Sequence, residues 1–193
     1  AFCGQSDPQK SMVDDVRVLF SRFAAKATFF VTGDNCFDHL GPSIKRLLDD
    51  GHELANHGME DRPYHKENRA SFSKDLDNTD TWLAHWTDQI APYYRAPHAQ
   101  FSQTMEDELK RRGLRHIMVD CFAHDTAIPD PEFIANFMLQ HVKCGSICLI
   151  HMPERGLREW NLKAMELVLT GLCERGIDVV TASALHESAE DAA

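Results

Sequence analysis

The chain has 193 residues, 43% of them hydrophobic, which suits one folded domain with a sizeable core and argues against disorder. With 30 acidic against 20 basic side chains, a formal net charge of −10 and no basic run, it is a poor match for nucleic acid or an anionic membrane surface. No apolar stretch reaches the roughly 18 to 20 residues that cross a bilayer, so membrane insertion is not expected. The first residues, AFCGQSDPQK, lack the charged start and apolar centre of a signal peptide, as a processed secretory chain also would.

In chain order, two patterns alternate. Asp7 and Pro8 suit an N-cap and first helical residue, and Val13, Val16, Phe20 and Phe23 recur at helical spacing, predicting a helix from about Gln9 to Ala24. KATFFVTG, Lys26 to Gly33, is short, β-branched and aromatic and ends in glycine, as a buried parallel strand does. GPSIKRLLDDG reads as a helix closed by Gly51, and HELANH as the next strand. A polar amphipathic helix from about Ala70 to Trp86 follows, then the strand PYYRAP, a helix near Ser102 to Arg112 and the strand RHIMVDC. A helix near Pro131 to His141, the strand SICLIHM, a helix near Asn161 to Arg175 and the strand IDVVTAS complete the series. Six strands alternating with six helices, with no linker or internal repeat, predict a single α/β domain over residues 1–193.

Six cysteines show no zinc-ribbon or redox spacing: Cys144 and Cys148 are four apart, and Cys36, Cys121 and Cys173 stand alone. Most read as buried thiols, Cys121 and Cys148 lying in apolar runs, and this usage slightly favours a reducing compartment.

The polar residues are placed unevenly. His57 follows the strand HELAN, Arg95 ends PYY, Asp120 and Asp125 lie at and beyond the end of HIMV, and His151 ends SICLI. In a parallel sheet or barrel all carboxyl ends of strands share one face, where active sites are built. Any one of these residues alone reads as structural, since a buried histidine only needs partners for its nitrogens. Placements at four strand ends on one face point to a site. In NHGMEDRPYH, His57 could share a cation with Asp61 across one turn, or with His65 across a longer loop.

The succession KATFFVTGDN, LLDDGHELANHGMEDRPYH, YYRAPHAQFS, VDCFAHDT, SICLIHM and LTGLCERGIDVVTASAL resembles the polysaccharide deacetylase family over nearly the whole chain. These are metal-dependent carbohydrate esterases with a distorted (β/α)7 barrel. The resemblance implies that His57 is the first histidine of the family's metal motif, and that Asp61 stands where the second histidine would be. Carboxylate oxygen binds zinc at about 2.0–2.2 Å, so the exchange is chemically tolerable. The implied cofactor is a divalent metal, zinc first, with cobalt, nickel or manganese as alternatives. His65 is then a bystander, and Arg62 a salt-bridge partner.

YYRAPH resembles the arginine-proline-proline-tyrosine motif. Arg95 would orient a catalytic aspartate, Pro97 would shape the turn, and His98 would take the tyrosine position whose backbone N–H stabilises an oxyanion. His151 matches the histidine that acts as general acid toward the leaving amine, with Asp125, or alternatively Asp120, holding its other nitrogen. Thr126 replaces the family's tryptophan, and His124 is a neighbour without a role. The implied reaction is hydrolysis of an N-acetyl group on a carbohydrate substrate.

The family's first motif, an aspartate pair ending a strand ahead of the first helix, has no counterpart. Asp14 and Asp15 fall inside the predicted helix, on its solvated face, and Asp7 is used as its cap. The expectation is therefore a barrel lacking its first strand. Either an active enzyme begins further upstream, or the fold serves as a carbohydrate-binding pseudoenzyme. Dimerisation or a strand-donating partner would fill the slot.

Overall fold

A computed structural model describes residues 7–191. The apolar run Phe29–Val31 forms β1 (Thr28–Val31), which pairs in parallel with β2 (Glu53–Asn56), Thr28 opposite Glu53 and Val31 opposite Asn56. β3 (Ile90–Tyr94) and β4 (Arg115–His116) extend the sheet in the order β1-β2-β3-β4, all parallel. A second parallel pair joins β5 (Cys121–Phe122) to β6 (Cys148–Leu149), with Cys121 opposite Cys148. The helices are α1 (Val13–Arg22), α2 (Gly41–Asp49), α3 (Arg69–Leu83), α4 (Gln103–Arg112), α5 (Pro131–His141), α6 (Trp160–Glu174) and α7 (Ala182–Asp191).

All six expected helices form, and the capping chemistry fixes several ends. Asn68, Ser102 and Asp130 accept hydrogen bonds from Ser71, Met105 and Phe133 and so start α3, α4 and α5. Asp7 does not cap α1. Its carboxylate accepts from Gln9 N–H and its carbonyl from Lys10 N–H, closing a separate turn, and α1 begins only at Val13.

The strands depart further from expectation. RHIMVDC splits between the two sheets. Ile117 N–H donates to the Tyr94 carbonyl on the first, while Asp120 is drawn to the second by hydrogen bonds from Ser146 Oγ (3.0 Å) and Ile147 N–H (2.7 Å). IDVVTAS is not a strand. Lys26 N–H reaches the Val179 carbonyl, but Ala182 N–H donates to Thr28 Oγ1 (2.8 Å) and Ser183 N–H to Glu53 Oε1 (3.2 Å). Side-chain acceptors at the head of β1 and β2 thus satisfy the opening N–H groups of α7, a helix the apolar pattern did not suggest. A strand ahead of α1 would fall outside the described residues.

One core, including Val16, Leu19, Val31, Ile44, Leu47 and Leu54, lies between β1, β2 and helices α1 and α2. A second, including Cys121, Ile134, Met138, Ala164 and Val168, lies between the small sheet and α5 and α6. Gly171 lets α6 approach α5, because a Cβ there would stand 2.5 Å from Leu139 Cδ1. A largely apolar cavity of about 240 Å³, lined by residues such as Phe29, Phe30, Ile117, Leu149 and Ile150, separates the two sheets.

Candidate active site

β2 delivers His57 at its carboxyl end, and Asn56 shapes the turn beyond it. Asn56 Oδ1 accepts from Gly58 N–H (2.8 Å), and its Nδ2 donates to Asp80 Oδ1 (2.7 Å). The backbone runs through a left-handed conformation at Gly58 (φ 84°), where a Cβ would meet the Tyr64 ring at 2.9 Å. Tyr64, fully buried, accepts from Glu60 N–H and donates to the Glu60 carbonyl, and Asp75 accepts from Met59 N–H. Arg62 stacks on the Tyr64 ring at 4.2 Å and pairs with Glu60 and Glu67, the salt-bridge role expected of it.

His57 is 5% exposed, and its Nδ1 lies 2.7 Å from the Arg95 carbonyl. A carbonyl only accepts, so Nδ1 carries the proton and Nε2 keeps its lone pair. Burial, with the Arg95 and His151 charges nearby, pushes its pKa down to about 3 and keeps the imidazole neutral. Such a ring, oriented by a carbonyl on its far nitrogen, is chemically prepared to ligate a metal through Nε2. Asp61 is half exposed and faces His98, whose Nε2 lies 3.3 Å from the Asp61 carbonyl and 3.6 Å from Oδ1. His65 Nδ1 is buried with no hydrogen-bond partner among the described residues. No group of three or more His, Cys, Asp or Glu side chains able to hold a metal occurs among the described residues. His57 Nε2 and the Asp61 carboxylate carry atoms of the type that ligate a cation, but the described residues do not complete a coordination shell.

Arg95 follows β3. Its guanidinium lies 4.1 Å over the Phe30 ring, and its Nε donates to the Ile117 carbonyl (3.3 Å). No carboxylate pairs with it among the described residues, and burial pushes its pKa down to about 10. His116, not singled out in the sequence, accepts from Ala96 N–H (3.3 Å) and stacks on Phe101, anchoring the segment after Arg95. His98 and Ala99 both adopt left-handed backbone, φ 55° and 54°, sparsely populated for residues with a Cβ and characteristic of functional turns. The two hydrogen bonds of that turn run from Ala99 and Gln100 to Ala96 and Pro97 and do not use the His98 N–H.

Beyond β5 and β6, Asp125 and His151 meet. Nδ1 of His151 lies 3.0 and 3.2 Å from the two Asp125 oxygens, and His151 N–H donates to Oδ2 (2.7 Å). Asp125 is fully buried; burial raises its pKa, but the His151 hydrogen bonds outweigh that and leave it below the usual carboxylate value. His151 is lowered by burial, opposed by Asp125. Asp120, the alternative partner, instead binds Ser146 and Ile147. His124, exposed and left-handed at φ 53°, packs against Phe122. Two further residues, not proposed from the sequence, hold the pair: Asn161 donates to Asp125 Oδ2 (2.6 Å), and Trp160 Nε1 donates to the Asp125 carbonyl (2.9 Å). Their only signal was a position at a helix start, which usually means capping.

Comparisons with known proteins agree with this architecture. The polysaccharide deacetylase family profile matches residues 7–117. A bifunctional xylanase/deacetylase of Pseudobutyrivibrio xylanivorans is 23% identical over 94% of this chain, which spans 29% of that protein's length. A chitooligosaccharide deacetylase of Azorhizobium caulinodans is 26% identical, with 88% of this chain and 85% of that protein covered. The structure of a family 4 acetyl xylan esterase from Clostridium thermocellum, in complex with a cobalt ion, superposes with a TM-score of 0.84 at 22% identity, over 95% of this chain and 86% of that one. On the family match across more than half its length, and on the shared α/β fold, the chain belongs to the polysaccharide deacetylase family.

Proposed function

We propose that this chain is a metal-dependent hydrolase that removes acetyl groups from N-acetylated carbohydrate, chitin-like or peptidoglycan-like. The observation that carries the reading is the His151–Asp125 pair, set at the carboxyl ends of β5 and β6 within electrostatic reach of the buried, neutral His57. The reaction needs a proton donor for the leaving nitrogen. As the imidazolium, with Nδ1–H held by Asp125, His151 presents Nε2–H for that transfer; the attacking water supplies the hydroxyl of the acetate and, in net, the proton that returns to Nε2. The His98 N–H, which the hydrogen bonds of its left-handed turn do not use, is the donor for the developing oxyanion. Arg95, desolvated beside Phe30, is the cation to orient an anionic group in the site. His57 and Asp61 are the donors for a divalent cation, zinc in the first instance. Once bound, that cation would supply Lewis acidity toward the acyl carbonyl and a water molecule.

The test pairs metal content with turnover. Purified protein equilibrated with zinc and dialysed is expected to retain one equivalent, and His57→Ala to retain little. Acetate release from N-acetylglucosamine oligomers is expected to fall at least about 100-fold in His151→Ala. Equal zinc content in His57→Ala would remove the metal assignment. Zinc binding with no acetate release from any oligomer would make this a carbohydrate-binding relative without the hydrolase chemistry.

A further inference from the structure

The first turn of α6 reaches the His151–Asp125 pair from its buried side. Asn161 has no exposed surface, and its Nδ2 donates to Asp125 Oδ2 (2.6 Å) and to the His151 carbonyl (2.9 Å), so both amide hydrogens are given to the pair. Its own Oδ1 is buried without a partner among the described residues. Turning the amide over would set Oδ1 against two acceptors with no proton between them, so the observed orientation is the one the site permits. An unsatisfied buried acceptor is a cost to the fold. That loss is tolerated here while both donors serve one carboxylate and the backbone of its histidine.

Trp160 completes the hold from the other direction, through the Asp125 backbone carbonyl. The consequence lies in how the carboxylate divides its bonds. Oδ2 takes the His151 N–H (2.7 Å) and Asn161, while Oδ1 makes the shorter contact with the imidazole Nδ1 (3.0 Å). Asn161 therefore keeps Oδ2 engaged and fixes the rotation that turns Oδ1 toward the ring.

We infer that Asn161 and Trp160 are positioning residues: they clamp Asp125 so that His151 keeps one proton on Nδ1 and, when doubly protonated, aims its Nε2–H into the site. This rests on the reading of His151 as the proton donor. The charged or titratable groups around His151 are Asp125 beside it, Arg158 just ahead of α6 and His57 across the site. Of these, Asp125 alone takes a hydrogen bond from the Asn161 side chain; Arg158 meets Asn161 only through its backbone carbonyl, which accepts the Asn161 N–H (2.9 Å).

Removing the Asn161 donor leaves more of the Asp125 charge to the imidazole, so the expected change in His151 titration is upward. The experiment follows the His151 ring nitrogens by NMR across pH in the full chain, alongside acetate release from N-acetylglucosamine oligomers. Asn161→Leu is expected to raise the His151 midpoint by about half a unit or more, and to lower kcat about tenfold with KM nearly unchanged. Asn161→Ser, which restores one hydroxyl donor, is expected to recover part of both, and Trp160→Phe to show a smaller loss with the Nδ1–H form less dominant. Should Asn161→Leu fail to fold, the serine and Trp160 variants carry the same readouts. Folded variants with wild-type His151 titration, tautomer and kcat would overturn the clamp. Undiminished turnover in His151→Ala would instead remove the acid assignment, while an upward NMR shift in Asn161→Leu would still uphold the clamp.

Discussion

Gly58 controls the path from β2 to the loop that carries Asp61. With φ at 84° and the Tyr64 ring 2.9 Å from any added Cβ, Gly58→Ala combines backbone strain with a clash inside a turn fixed by Asn56, Asp75 and Tyr64. A loss of about 1–3 kcal/mol in urea unfolding is expected, and a loss under about 0.5 kcal/mol would show that the turn relaxes around the side chain. His52 gives a pH-dependent counterpart. Ala27 N–H donates to its Nδ1, and burial followed by the Lys26 charge pushes its pKa from 6.5 down to about 4. The folded state prefers neutral His52, so its contribution is present above pH 6.5 and is lost as pH falls toward 4. Stability measured from pH 7 to 5 should therefore decline, and His52→Gln should flatten that decline; an unchanged slope would contradict the assignment. At this scale the sequence was informative where the chemistry was local. Histidines and aspartates at strand ends marked His57, Asp125 and His151, but the choice of Asp125 over Asp120 depended on Ser146 and Ile147 across a sheet. Asn161 was silent because its partners lie 36 and 10 positions away.

Among the elements, α3 and α4 are joined through one carboxylate. Glu108 is 1% exposed and accepts from Arg69 Nε (2.9 Å), from Arg112 Nε (2.8 Å) and from both Nε and Nη2 of Arg111, while Arg112 continues to Asp77 and Ser73. These partners, Arg111 first and against the opposing effect of burial, hold its pKa well below the usual carboxylate value. Glu108→Gln leaves the guanidinium groups without their shared counter-charge, and a destabilisation of about 1–3 kcal/mol is expected at pH 7. The depressed pKa means this contribution is complete above pH 4.5 and fades as pH falls below it. The gap between wild type and variant should thus close in acid; a gap constant down to pH 3 would rule out a charge effect. Helices were the legible elements, because 3.6-residue periodicity and caps at Asn68, Ser102 and Asp130 act within a few residues. Strands were less so: RHIMVDC has the composition of one strand, yet its two ends belong to different sheets. IDVVTAS has strand composition, yet Thr28 and Glu53 turn its end into the start of α7.

Across the whole molecule, the question is whether two sheets separated by a cavity of about 240 Å³ behave as one unit. Ile150 and Val179 pack against both main cores, and the Lys26–Val179 hydrogen bond ties the segment before α7 to the strand β1. Through Ile150 and Val179 the core beside the β1–β4 sheet, which delivers His57 and Arg95, meets the core beside the β5–β6 sheet, which delivers Asp125 and His151. Periodicity could not reveal this, since it reports the face an element buries and not the sheet it joins. Trp86 packs on the first core and Trp160 on the second, so they report separately on the two halves. If the shared residues couple the cores, a chain retaining only Trp86 and one retaining only Trp160 should unfold in urea at midpoints that match the far-UV CD transition of the same variant. Ile150→Ala, which removes side-chain atoms facing both cores, should lower stability by about 1–3 kcal/mol without splitting that transition. Separate midpoints for fluorescence and CD in the Trp160-only chain would show that the half carrying Asp125 and His151 opens on its own. The site would then be assembled from two independently stable parts.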